Sequence, residues 1–129
     1  MPHIVIEYSA NVGDHHDINR LVDAVHTAAL ADGLAPADGL RTRAARRDHY
    51  CIADGQPDHA FIAIMVRIGP GREALAKTRF LTAILDAAEA HIDATATPLA
   101  IAWSAEIQEI DGEFRVNRNH VRARIHGEA

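Results

Sequence analysis

Ala60-Phe61-Ile62-Ala63-Ile64-Met65-Val66 is apolar at every position. A strand wet on one face alternates apolar with polar residues, whereas a strand covered on both faces reads as an unbroken apolar run. Turn signals bound this one: Asp54-Gly55, Pro57 and Asp58 precede it and Gly69-Pro70-Gly71 follows. Residues Ala60 to Ile68 therefore read as a strand that needs cover on both sides. Helices can supply one side. The other needs something more, and a second copy of the same chain is the simplest candidate.

Working upstream, the β-branched run Ile4-Val5-Ile6 marks a short buried strand from His3 to Tyr8. A turn-rich stretch, Ser9 to His16, leads to Asp17, which can cap a helix carrying Ile18, Leu21, Val22, Val25 and Ala29 at helical spacing until Gly33 stops it. Leu40 to Ile52 reads as the next strand. Downstream, Glu73 to Ala94 reads as a second long helix, with Leu75, Phe80, Ala83, Ile84, Ala87 and His91 along one face. Leu99 to Ile110 resumes strand character, Asp111-Gly112 turns the chain, and Arg122 to Ala129 is expected to fray. The order is strand-helix-strand twice, divided near Asp54. Each half predicts parallel strands joined by a crossover helix, giving an α+β fold with a four-stranded sheet and two helices on one face.

The 129 residues suit one domain, and 48% hydrophobic content is enough for a core without staples. A formal charge of −5 argues against nucleic acid as partner. A lone cysteine, Cys51, forms no internal disulfide and reads as a small buried hydrophobe. Glu7 and Asp14 stand where a signal peptide would need a basic start and an apolar run, and no stretch approaches ~18 apolar residues, so the expectation is a cytoplasmic protein without membrane contact.

Pro2 carries the chemical signal. Methionine before proline is readily removed, and its loss would turn the proline nitrogen from an amide into a secondary amine. An α-amino group ionises near ~7.7 to 8.0, and nearby cations or desolvation lower that value, so such an amine can accept a proton near neutral pH. Arg41 and Arg43, two apart in a strand, share a face and can meet one anion together. Arg72 follows Gly69-Pro70-Gly71 at a helix start, where free N–H groups also favour an anion. These three arginines could bind a polycarboxylate and keep the amine unprotonated. Arg46, Arg47, Arg115, Arg118, Arg122 and Arg124 read as solvated surface charge.

Nine histidines offer no HExxH or paired Cys/His spacing, so no metal is expected. Asp14-His15-His16-Asp17 reads as a helix start, and His26 and His91 as core-edge residues. A nucleophile elbow, a P-loop and a dinucleotide fingerprint are all absent from the sequence.

Pro2-His3-Ile4-Val5-Ile6-Glu7-Tyr8-Ser9-Ala10-Asn11 resembles the opening of the 5-carboxymethyl-2-hydroxymuconate isomerase family, a branch of the tautomerase superfamily. Gly39-Leu40-Arg41-Thr42-Arg43, Ala53-Asp54-Gly55-Gln56, Ala60-Phe61, Ile68-Gly69-Pro70-Gly71-Arg72 and Glu106-Ile107-Gln108-Glu109 resemble further family segments in the same order. The resemblance covers nearly the whole chain. It implies a tautomerase-like β-α-β repeat, a homotrimer, and cofactor-independent isomerisation of a small polycarboxylate enol in homoprotocatechuate breakdown. It also implies a mature N-terminal Pro2 as general base, with Arg41 and Arg72, then Arg43, holding carboxylates. Pro2 would move a proton from the 2-hydroxyl to carbon. Two rival readings share the pattern: a tautomerase for another enol acid, and a ligand-binding βαββαβ module without catalysis.

Overall fold

The apolar run lies inside a four-stranded sheet. A computed structural model of the chain describes residues 2–93 and 96–127. In chain order the elements are strand β1 (His3–Ser9), helix α1 (Ala10–His15), helix α2 (Ile18–Asp32), a 3-10 turn (Ala37–Gly39), strand β2 (Arg41–Arg47), strand β3 (His59–Ile68), helix α3 (Ala74–Asp93), strand β4 (Ala100–Glu109) and helix α4 (His120–Ile125). The sheet order is β2-β1-β3-β4. β1 is parallel to β2 and β3 to β4, as the two strand-helix-strand halves require, and the halves meet in an antiparallel β1–β3 pair.

Period-two alternation sorts the sheet residues onto two faces. Ile4 and Ile6 of β1 and Ile62, Ile64 and Val66 of β3 are buried, and they join Leu21 and Val25 of α2 and Phe80, Ile84 and Ile92 of α3 in a single cluster. Both long helices thus cover one face. Each fully buried side chain of this size contributes about 1.5–3 kcal/mol relative to exposure. Asp17 caps α2 by accepting the Arg20 N–H at 3.2 Å, which is the role expected of the acidic residues there. Gly33 ends it at φ 79°, a left-handed conformation that a Cβ would strain.

Among the described residues no helix covers the opposite face. Its middle is apolar, with Val5, Phe61, Ala63 and Met65, and a depression of about 320 Å³ lies there between Val5, Glu7, Ala63, Ile64, Met65 and Glu106. On β4 this face carries only small or polar residues, Ala100, Ala102, Ser104 and Glu106, because Ile101, Trp103, Ala105 and Ile107 turn toward the helices and pack on the core. The apolar reading of Leu99 to Trp103 therefore describes one face of β4, not both.

Several expectations need correction. β2 stops at Arg47, where its neighbour β1 ends at Ser9, so among the described residues Asp48 to Ile52 has no strand to pair with and belongs to the loop before β3. Cys51 sits in that loop and is exposed. The stretch after Ser9 winds into α1. On α3 the buried stripe is Phe80, Ile84, Ala88 and Ile92, four apart, while Leu75 is 84% exposed. Ala94 lies outside the described residues, as do Glu128 and Ala129. The C-terminal stretch through Ile125 is helical and held: Asn119 caps α4, and Arg122 and His126 both reach Asp38 Oδ2, at 3.1 and 2.9 Å. No helix among the described residues is long and apolar enough to cross a membrane.

Phe80 is fully buried where α3 meets the sheet. Phe80→Ala is expected to cost about 3–5 kcal/mol through lost burial and the cavity left behind, measured by urea unfolding.

Candidate active site

Strand direction gathers the candidate residues. β1 and β2 start, and β3 and β4 end, at the same edge of the sheet. Pro2 is buried there, and its carbonyl accepts the Arg41 N–H at 3.2 Å, which locks the first residue of β2 beside the chain's start. Arg41 and Arg43 share the open face, as their spacing predicts.

What they surround is His3, which the sequence reading passed over. His3 pairs in register with Arg41 on one side and Arg67 on the other. Arg43 Nη1 lies 3.2 Å from His3 Nδ1, and Arg41 Nη1 lies 3.5 Å from Nε2. A neutral imidazole has one acceptor nitrogen, so the shorter contact fits a hydrogen bond donated by Arg43 to Nδ1, with Nε2 carrying the proton. Burial, then the charges of Arg43, Arg41 and Arg67, hold the His3 pKa below its ordinary 6.5. His3 is thus kept neutral within a ring of cations. The signal for His3 and Arg67 lay in strand register, which spacing within a single strand does not reveal.

Arg72 stands in a different environment. Its Nε donates to the Leu34 carbonyl at 3.2 Å and its Nη1 to the Gly69 carbonyl at 3.0 Å, so it ties the exit of α2 to the exit of β3. Nη2 is used by neither bond. Arg46 and Arg47 are ion-paired surface residues, with Asp14 and Asp48 and with Glu7. Arg115 departs from the surface reading: it is partly buried, and its Nη1 is enclosed. Among the described residues no three His, Cys, Asp or Glu side chains gather closely enough to hold a metal ion.

A neutral imidazole with cations on two sides of its strand can accept a proton and bind anions. The sequence model of the 5-carboxymethyl-2-hydroxymuconate isomerase family matches residues 2–125. The 5-carboxymethyl-2-hydroxymuconate Delta-isomerase of Escherichia coli is 29% identical over 123 residues, covering 95% of this chain and 98% of the relative. A crystal structure of a 5-carboxymethyl-2-hydroxymuconate isomerase from Deinococcus radiodurans R1 superposes with a TM-score of 0.85 at 29% identity, covering 96% of this chain and 93% of the other. A crystal structure of a 5-carboxymethyl-2-hydroxymuconate delta-isomerase superposes with a TM-score of 0.88, covering 97% and 93%; at 24% identity it speaks to the fold.

His3 gives a test of the cation ring. Its folded pKa is depressed, so its neutral form contributes stability that is fully present above the unfolded value of about 6.5 and is lost as pH falls below it. Arg43→Gln should raise the His3 pKa toward 6.5, read from its imidazole proton shifts. An unmoved titration would show that Arg43 does not act on it.

Proposed function

The chain belongs to the 5-carboxymethyl-2-hydroxymuconate isomerase family, and on that premise we propose that it isomerises 5-carboxymethyl-2-hydroxymuconate to the 2-oxo-3-ene form with Pro2 as its base. The observation that supports Pro2 is its position, buried at the sheet edge where Arg41 begins β2 and Arg67 nears the end of β3. Loss of Met1 leaves a secondary amine there. Neighbouring guanidinium groups disfavour a second positive charge, so the amine stays unprotonated and able to accept a proton.

The amine takes the proton of the substrate's 2-hydroxyl. The oxygen becomes a carbonyl, the double bonds at C2 and C4 collapse into one between C3 and C4, and the proton returns at C5. One proton leaves and one returns, so the isomerisation balances within the substrate. Arg41 and Arg43 hold carboxylates from the open face, and Arg72 adds its Nη2 from the Gly69 side. Preformed donors of this kind lower the barrier because they need no reorganisation as charge moves.

The open sheet face supports assembly as a homotrimer. An apolar middle of Val5, Phe61, Ala63 and Met65 gains by leaving water against neighbouring copies.

Light scattering should return a mass near three chains; a monomer at micromolar concentration would count against the assembly. Pro2→Ala, which leaves a primary amine after processing, should lose most but not all turnover of the dienol in an ultraviolet assay. Protein with a blocked N-terminus should be close to inactive, because an amide nitrogen has no useful basicity. Full activity in protein shown by intact mass to retain Met1 would remove Pro2 from the mechanism.

A further inference from the structure

Residues 110–127 cross the Pro2 edge of the sheet as a strap anchored at both ends. At its start the Ile110 N–H donates to the Ile68 carbonyl at 2.7 Å. At its end Asn119 Nδ2 donates to the Asp38 carbonyl at 3.0 Å, and Arg122 Nε to Asp38 Oδ2 at 3.1 Å. The strap thus runs from the end of β3 to the turn that precedes β2, and Arg115 lies between the anchors.

The Arg115 guanidinium rests on Gly69. A Cβ built on Gly69 would stand 3.0 Å from Arg115 Nη1, 3.2 Å from Nη2 and 3.4 Å from Cζ, so a side chain there would push the guanidinium off by a few tenths of an ångström. The Gly69 carbonyl is the acceptor for Arg72 Nη1. Two guanidinium groups therefore converge on one residue, two positions after Arg67, which pairs with His3 at the start of β1.

Arg115 Nη1 is buried with no hydrogen-bond partner among the described residues. An enclosed donor left unmet costs more than a hydrogen bond never formed. A chain with 18 Asp and Glu residues places none in an ion pair with Arg115 or Arg72 among the described residues, although it does so for Arg46, Arg47, Arg79 and Arg122. What the pair lacks is a carboxylate, whose two oxygens accept from a guanidinium fork.

We infer that Arg115 is a further substrate-binding residue, forming with Arg72 a two-arginine seat for one carboxylate of a polycarboxylate and thereby selecting such substrates over monoacids. The inference rests on the isomerase reading for its substrate but on its own geometry for the seat. Arg115 brings its guanidinium, which has no acidic partner among the described residues, and Arg72 the Nη2 that its carbonyl bonds leave over.

The test measures kcat/KM for 5-carboxymethyl-2-hydroxymuconate and for a monocarboxylate enol, and calorimetric binding of propane-1,2,3-tricarboxylate, which has no enol to react. Arg115→Gln is expected to lose about 10- to 150-fold on the tricarboxylate enol, mainly in KM, with little change on the monoacid, and to weaken tricarboxylate binding by a similar factor. Gly69→Ala keeps every charge and a permitted backbone but displaces the guanidinium, so it should show the same selective loss in smaller measure. Equal losses on both enols, or tricarboxylate binding unchanged in both variants, would overturn the seat. Wild-type protein inactive on both enols, with tricarboxylate binding that still depends on Arg115, would uphold the seat and overturn the isomerase reading.

Discussion

The antiparallel pairing of β1 with β3 is the constraint on which the rest depends. Ile4 opposite Val66 and Ile6 opposite Ile64 place four buried side chains on the helix side. A slip of one residue would turn every one of them to the open face, so the core enforces the register. That register also sets His3 beside Arg67 and brings Gly69 to Arg72 to the start of β1. The parallel neighbours then add Arg41 and Ile110 to the same edge. The chemistry of that edge is thus a consequence of hydrophobic packing several residues away.

Asp38 couples two parts of the edge that are distant in sequence. It belongs to the 3-10 turn just before Arg41, and its side chain, 12% exposed, receives Arg122 and His126. These donors hold its carboxyl below the ordinary carboxylate range, His126 contributing most, against an opposing effect of burial. One carboxylate therefore fixes the entry to β2 and the end of the strap together, so the positions of Arg41 and Arg115 depend on the same group.

The fold was legible because its signals are local. Ala60 to Val66 is unbroken, Asp17 and Gly33 bracket α2 with their own chemistry, and Arg41 and Arg43 share a face by period alone. What escaped was non-local. His3 gains its role from two partner strands, and Arg115 from a glycine 46 positions earlier whose missing Cβ is the feature. Leu75 fits a helical stripe by identity, but it stands in the first turn of α3, ahead of the buried stripe that begins at Phe80, and its side chain faces water. Strand β2 looked longer because residues 48–52 lack a strong breaker; a strand ends where its neighbour ends, and composition does not record that.

A net charge of −5 sits uneasily with a site for polyanions until the cations are placed. Arg79 is neutralised by Asp32, Lys77 by Glu109, Arg46 by Asp14 and Asp48, Arg47 by Glu7, and Arg122 by Asp38. Arg43, Arg67, Arg72, Arg115, Arg118 and Arg124 have no ion pair among the described residues, and the first four lie at or next to the Pro2 edge. Exposed charges interact over about 8 Å at physiological salt, so the acidic remainder of the surface is largely screened from a ligand at that edge. The ligand meets a local excess of guanidinium groups instead. The same excess opposes protonation of His3 and, in the proposed mechanism, of a terminal amine at Pro2, which gives the proposed anion binding and basicity one electrostatic origin.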